Sequence, residues 1–535
     1  MEAINNQNTS RRWWIGFAIF LVILTTLPYL LAEIRAGDNW VFSGFLFGVQ
    51  DGNSYIAKML RGSAGEWLFA TPYTAYPQTG VIAFLPYTLL GKLAAEPGLH
   101  GQLVAIFHFF RIAGIFFLVW ALDQFMLRFI ADMRLRRWGI ALATCGGGLG
   151  LLFFMGLLQL WGESLPLEMY SPESFGFLML MGLPHLLFAR GLLLLSFGKL
   201  LDEDISWIKS GILAGSGLLL VGVFQPLTVA VAWAVMAAGL VGAIVVKILK
   251  IPNEINIQRF GVGIGIAGLV SSPVVLYTMI KFANDPVLST WERQNILKSP
   301  PVGDYVWAFG LVLPFAILAI LDILRKKVVL NQALLFLIIW LTCFPVLAYA
   351  PYPMQRRLPE GIWVVMVTLA MVFLAGKTLK TQKMLLVIMS IGFISTSTFW
   401  LGAVLSAWQV KSPIFEPISK IQFFREMNAL PIPKDSVVLA DEEISTSLPA
   451  WIPVRVLVGH GPESANLAEV GPRVEHFFRG TADIENDRKL IGEFNINFVV
   501  WDQDKYGAID RVEQSFAELQ TEFCDQNLCL LRVDK

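Results

Sequence analysis

From Gly211 to Val246 the chain carries no charged side chain. Only about 20 apolar residues are needed to cross ~30 Å of hydrocarbon, and inside lipid a helix is the element that satisfies every backbone N–H and C=O locally. A run this long therefore points to two crossings rather than one. It divides at Gln225-Pro226, because proline disfavours helix at the residue before it. Comparable runs near 13–32, 100–124, 138–160, 176–198, 259–281, 303–324, 331–350, 360–376 and 384–408 predict a polytopic all-α membrane bundle of about eleven transmembrane helices. Val81 to Ala95 is short, is interrupted by Pro86, and is expected to lie in the membrane interface. A composition of 55% hydrophobic and 15% charged residues, with mean hydropathy +0.61, excludes an ordinary soluble protein of this length.

The formal net charge of +0 conceals an asymmetry. Lys411 to Lys535 holds 13 basic and 21 acidic residues, which leaves 28 basic and 20 acidic in the part before it. The sequence thus predicts a membrane domain over 1–410 and a polar, soluble domain over 411–535. Arg11-Arg12 precedes a first helix with no small-residue cleavage site, and is expected to be retained with the N-terminus in the cytoplasm. That orientation also puts Arg128, Arg134, Arg136, Arg137, Lys247, Lys250, Arg325, Lys326, Lys327, Lys377, Lys380 and Lys383 inside. An odd number of crossings then exports the tail, so the expected location is the plasma membrane, multi-pass, with an extracytoplasmic C-terminal domain. Alternation in DSVVLADEE, VRVLVGHG and NINFVVWD predicts three short strands. Helices near 416–429, 469–478, 485–494 and 508–520 and a hairpin through CDQNLCLLRV complete a small α/β domain. Cys524 and Cys529 are either bridged or two half-buried thiols, whereas Cys145 and Cys343 read as packing residues. The GHGPES turn offers polar groups, but no nucleophile, metal cluster or phosphate loop.

Polar groups collect on the predicted outer side. The long first external loop, about 33–99, contains Asp51 ahead of an amphipathic segment with Tyr55, and Asp51 is the leading candidate for a general base; a helix N-cap is its structural alternative. Asp38 and Glu33 are weaker candidates. In the second loop Glu163, Glu168 and Glu173 supply oxygen ligands of the kind Mg²⁺ or Mn²⁺ prefers, with first-turn helix residues as the alternative. His108, Arg111, His185 and Arg190 fall within apolar spans, where ionisable groups need either a function or a partner. Trp291, Arg293 and their polar neighbours in WERQN would suit a sugar or an ordinary interfacial loop. In YPMQRRLPEG, Arg356 and Arg357 can grip a phosphate bidentately, beside Gln355 and Glu360; reaching lipid headgroups is the alternative. CGGGLG at 145–150 has no preceding strand and predicts close helix packing rather than a nucleotide loop.

These features, Asp51 with Tyr55-Ile-Ala-Lys-Met, Pro184-His185, Trp291 to Asn295 and Gln355-Arg356-Arg357 on a many-helix chain with a soluble tail, resemble the GT-C superfamily of membrane glycosyltransferases. The similarity is to prokaryotic members akin to protein O-mannosyltransferases and lipid A aminoarabinose transferases. It implies transfer of a sugar from a polyprenyl-phosphate carrier to an acceptor on the outer face, with Asp51 in the family's first-loop acid position. No Asp-x-Asp or Asp-x-Glu pair matches the metal-dependent members. The expected partners are the lipid-linked sugar, membrane lipids and an acceptor of unassigned class; nothing points to nucleic acid. Donor-phosphate binding falls to Arg356, Arg357, His185 and Arg293, substrate binding to Gln355, Trp291, Tyr55 and Glu360. A flippase for lipid-linked glycans, with no bond broken, is the rival reading.

Overall fold

The computed structural model describes residues 2–162, 165–325, 329–479 and 484–534. Glu163, Lys326 and Lys327 lie outside them. The chain is mostly helical. Among the described residues seven helices are long and apolar enough to cross a membrane: Arg11–Arg35, Leu99–Met126, Trp207–Phe224, Pro226–Ile248, Ile257–Asn284, Gln355–Ala375 and Leu379–Gln409. Gln225, at φ −153° and ψ 88°, separates the third from the fourth, so the long uncharged run divides where its proline predicts.

Fewer spans are continuous than the eleven expected. Val302–Phe309 and Val312–Arg325 meet at 89°. The bend is at Gly310, where φ is +47° and an added Cβ would lie 2.9 Å from Cα of Gly148. The predicted span 138–160 stops early for the same reason: helix Met133–Cys145 ends at Gly146, and Leu149 N–H donates to the Trp307 carbonyl at 2.9 Å. The glycine run is thus a backbone-to-backbone packing point at a helix end, rather than within a continuous span. In the predicted span 176–198, Phe177–Gly182 is parted from Pro184–Leu200 by Leu183, again the residue before a proline.

The chain divides into two compact units, the first of residues 1–27, 110–279 and 296–402, the second of residues 28–109, 280–295 and 403–535. In the first unit one deeply buried charge is well partnered. Arg111 is fully buried and donates to Thr25 Oγ1, Thr26 Oγ1 and the Leu180 carbonyl at 2.9 to 3.1 Å. Trp363 Nε1 donates to the Leu142 carbonyl at 2.8 Å.

In the second unit a two-stranded ribbon pairs β1 (Trp40–Phe42) with β2 (Phe415–Pro417). A five-stranded sheet contains β3 (Val437–Leu439), β4 (Arg455–Val456), β5 (Phe498–Asp502), β6 (Leu519–Asp525) and β7 (Leu528–Val533), in the order β4-β3-β5-β7-β6. β4, β3 and β5 are parallel; β7 and β6 are antiparallel. Period-two alternation sends Val437, Leu439, Val499, Trp501 and Leu531 to one face, against Val474, Phe478 and Leu490. Val438, Val500 and Leu530 go to the other, against Phe423, Phe424, Ile444 and Tyr73. Loop residues Tyr73 and Tyr76 therefore help close both faces of a sheet whose strands begin beyond residue 436. Helices Ile418–Ala429, Leu467–Arg479 and Ile484–Glu493 lie where expected; the predicted helix 508–520 is only Asp510–Ser515, because Leu519 already enters β6. Cys524 and Cys529, opposite each other in the β6–β7 hairpin, are bridged.

Candidate active site

Within the second unit, helix Val49–Ser63 begins at Gly48, which takes the left-handed conformation at φ 53°. No side chain caps this end, so Asp51 is a first-turn acid rather than the N-cap. Its side chain is 59% exposed, and Oδ1 lies 3.2 Å from Nε2 of His460. Gln50, Ser54 and Lys58 follow at four-residue spacing and share one helix face. All three meet the GHGPES turn. Gln50 Nε2 donates to the Gly459 carbonyl at 3.1 Å. Ser54 Oγ and Lys58 Nζ donate to Glu463 Oε1 at 2.8 and 2.6 Å, and Thr71 Oγ1 donates to Oε2 at 2.8 Å. The Lys58 ammonium also lies over the rings of Phe84 and Phe69, 4.5 and 5.0 Å from their centroids.

Burial by itself would raise the pKa of Glu463. The Lys58 ammonium, His460 and the Ser54 hydroxyl outweigh it and hold the carboxyl down at about 2. Tyr73, 5.4 Å from the His460 ring, is pushed well above its ordinary value by burial and by the carboxylates of Glu463 and Asp51. The turn is also clasped by Gln294, whose Nε2 donates to the Ser464 carbonyl at 2.9 Å and whose Oε1 accepts from Leu467 N–H at 3.2 Å. Hence WERQN does reach this site, through Gln294. Arg293 is exposed and bonded to Thr290 Oγ1 at 3.0 Å. Trp291 packs on Phe84 and Phe282 rather than offering a free platform, and Tyr55 is a buried ring stacked on Tyr87.

In the first unit, Arg357 Nε lies 3.3 Å from Glu173 Oε1 and its side chain is 34% exposed. The Arg356 guanidinium covers the Tyr170 ring at 4.6 Å, and its backbone N–H donates to the Leu297 carbonyl at 3.1 Å. Gln355 is held between the Ser299 N–H and the Ala350 carbonyl. Glu360 is paired with Arg190 at 2.7 Å, and Arg190 also donates to the carbonyls of Pro172, Glu173 and Phe175, which ties the second-loop segment to the turn before helix Ile362–Ala375. His185 is buried in the first turn of Pro184–Leu200.

Of the second-loop glutamates expected to offer oxygen ligands to a cation, Glu163 lies outside the described residues, and Glu168 and Glu173 have other partners. Glu168 Oε1 accepts from Gly150 N–H at 2.9 Å and Ser395 Oγ at 2.8 Å, while Glu173 faces Arg357. An arginine thus engages Glu173, and hydroxyl and amide donors hold one oxygen of Glu168. Among the described residues no group of three or more His, Cys, Asp or Glu is placed to hold a metal ion. Sequence reasoning missed His460, Glu463, Ser54 and Lys58. The GHGPES turn, with His460 and Glu463, and Tyr55-Ile-Ala-Lys-Met, with Lys58, were the visible signals.

No family model matches the sequence, and no curated protein matches it. Solved structures do. An oligosaccharyltransferase from Archaeoglobus fulgidus, tethered to an acceptor peptide, matches with 10% identity over 96% of this chain and 74% of its own, at a TM-score of 0.52. ArnT from Cupriavidus metallidurans in the apo state matches with 11% identity over 96% and 98%, at 0.52. The arabinofuranosyltransferase AftD from Mycobacteria matches with 12% identity over 98% of this chain but 40% of its own, at 0.55. The chain shares its fold with these structures, which are GT-C glycosyltransferases as the resemblance implied, and it is a multi-pass membrane protein.

Proposed function

We propose that this chain transfers a sugar from a polyprenyl-phosphate carrier to an acceptor on the outer face of the membrane, with inversion at the anomeric carbon. The observation that carries the reading is Asp51: an exposed carboxylate in the first turn of a helix, with one oxygen against a buried imidazole. Its neighbours in fold are transferases of oligosaccharide and arabinofuranose by their names, which favours a lipid-linked sugar as donor.

In this reading Asp51 takes the proton of the acceptor hydroxyl as that oxygen attacks the anomeric carbon. The bond to the carrier phosphate breaks, and its electron pair leaves with the phosphate. Proton transfer of this kind is worth about 10² to 10⁴ in rate. Arg356 and Arg357, with Arg293 and His185 as further candidates, would neutralise the charge that builds on the phosphate, and one such preorganised contact is worth about 10² to 10³. No step is assigned to a metal, since Glu168 and Glu173 are otherwise engaged. The bridged Cys524 and Cys529 support an oxidising compartment for the tail, and with the basic bias of Arg11-Arg12 and the Arg128 to Arg137 cluster they favour a cytoplasmic N-terminus.

The test uses undecaprenyl-phosphate-linked mannose, arabinose and glucose as donors for the full chain in detergent, where transport has no meaning. Release of free undecaprenyl phosphate that falls at least a hundredfold in Asp51→Asn and in Arg357→Ala supports transfer. Unchanged release in both variants removes the assignment, and binding without release favours the flippase.

A further inference from the structure

The turn that carries Arg356 and Arg357 has a second chain segment bonded along it, also in the first unit. Leu297 N–H donates to the Pro353 carbonyl at 2.8 Å, and the Leu297 carbonyl accepts from Arg356 N–H at 3.1 Å. On the other side of Lys298, Ser299 N–H donates to Gln355 Oε1 at 3.3 Å. Both chain neighbours of Lys298 are thus fastened to the diarginine turn. Lys298 itself is exposed, and among the described residues it makes no hydrogen bond or ion pair. A compact ammonium on a flexible four-carbon stem, tethered there, can reach any anion that the turn receives.

The charges around it do not balance. Glu173 faces Arg357 at 3.3 Å, and Glu360 is matched by Arg190 at 2.7 Å. Asp304 is 2% exposed and is held by the N–H groups of Trp161 and Gly162 at 2.9 and 3.1 Å. The Tyr305 hydroxyl is engaged with Ser299 Oγ at 3.0 Å, and Tyr349 donates to the Pro300 carbonyl at 2.7 Å. Arg356, Arg357 and Lys298 against the one carboxylate of Glu173 leave a surplus of two positive charges. A sugar phosphodiester carries only one negative charge. Once its bond to the anomeric carbon breaks and the electron pair stays with the phosphate, the carrier is a monoester whose second ionisation lies near pH ~6, close to a dianion at neutral pH.

We infer that Lys298 is the third cation of the phosphate site, and that it makes the site favour the departing monoester dianion over the bound diester. This rests on the donor being a polyprenyl-phosphate sugar and adds which charge state of the phosphate the site selects. An interaction that grows as charge builds on the leaving group lowers the barrier, whereas one equal in donor and leaving group only tightens binding. Lys298 gains and loses no proton; the electron pair of the broken bond ends on the carrier phosphate, and the ammonium offsets that second charge.

The experiment uses the full chain in uncharged detergent at low ionic strength, with undecaprenyl phosphate, a monoester, and undecaprenyl-phosphate-linked mannose, arabinose and glucose, all diesters, as probes. In the wild type the affinity for the monoester should rise about tenfold from about pH 5 to about pH 8, as its second charge forms, while that for the diesters stays level. The diesters, whose charge is constant over this range, control for protein groups that titrate within it. Lys298→Gln should remove most of the rise, leave diester affinity within about twofold, and lower kcat about tenfold with KM for the donor little changed. Lys298→Arg should keep the wild-type behaviour. A Lys298→Gln protein that retains the full rise, while Arg357→Ala loses binding of monoester and diester alike, overturns the assignment and leaves the phosphate site standing. Equal weakening toward monoester and diester in Lys298→Gln also overturns it, since the charge state is then not selected. If the wild type binds none of these lipids, the donor reading itself fails and the assignment falls with it.

Discussion

Glu463→Gln should be among the most damaging single changes in the second unit. Lys58 is 1% exposed and Glu463 4%, at 2.6 Å, so neither charge is supported by water. Neutralising the carboxylate leaves an ammonium buried against the Phe84 and Phe69 rings, with the Ser54 hydroxyl as its remaining bonded group. Breaking a buried pair from one side costs about 3–5 kcal/mol, because the orphaned charge stays buried. The carboxyl gives a similar figure: drawn from 4.5 down to about 2 against the opposing effect of burial, it contributes roughly 3 kcal/mol at neutral pH. Since the folded value lies below the unfolded one, that contribution is complete above pH ~4.5 and is lost as pH falls from there through about 2. Removing both charges, as in Lys58→Met with Glu463→Leu, should be far milder than Glu463→Gln and should flatten the acid limb. Urea unfolding of the detergent-solubilised protein, followed by tryptophan fluorescence at pH 7 and between pH 5 and 3, measures both. A loss under about 1 kcal/mol for Glu463→Gln, or a double variant as unstable as the single, would refute the reasoning.

Burial pushes the Glu168 carboxyl up, against its hydrogen bonds from Ser395 and Gly150. Its contribution to stability should therefore be full at low pH and fade as pH rises through the raised value. Glu168→Gln should remove the fall in stability that begins as pH rises above the ordinary carboxylate value of 4.5; a slope above that pH identical to wild type counts against this. Alkylation of the denatured, unreduced protein should modify Cys145 and Cys343 only, and Cys524→Ser with Cys529→Ser should cost about 2 kcal/mol for so short a loop. Four alkylated thiols by intact mass would contradict the bridge.

The helices announced themselves wherever apolar runs were unbroken, and Gln225-Pro226 marked its boundary because proline acts on its neighbour directly. Gly310 and Gly148 did not, since the bend they permit is a contact between two distant backbones and neither glycine signals it alone. At the site, local chemistry placed Asp51 at a helix start, as a possible N-cap, and it lies in the first turn instead. Its histidine stands 409 positions away and no spacing rule reaches it. Residues chosen for their type alone fared differently: Tyr55, Trp291 and Gln355 have side chains suited to sugars, but aromatic stacking and two backbone groups already engage them. Their amphipathic character made packing and recognition indistinguishable in one dimension.

The Lys58–Glu463 pair joins positions 405 apart. At a synthesis rate of about 5–20 residues per second, the ribosome adds Glu463 roughly 20 to 80 seconds after Lys58. Throughout that interval the nascent helix must keep its ammonium wet or borrow a counterion, because the carboxylate that allows its burial does not yet exist. Truncation before residue 459 would therefore leave this unit permanently at that waiting stage, rather than yielding a finished enzyme stripped of an accessory domain.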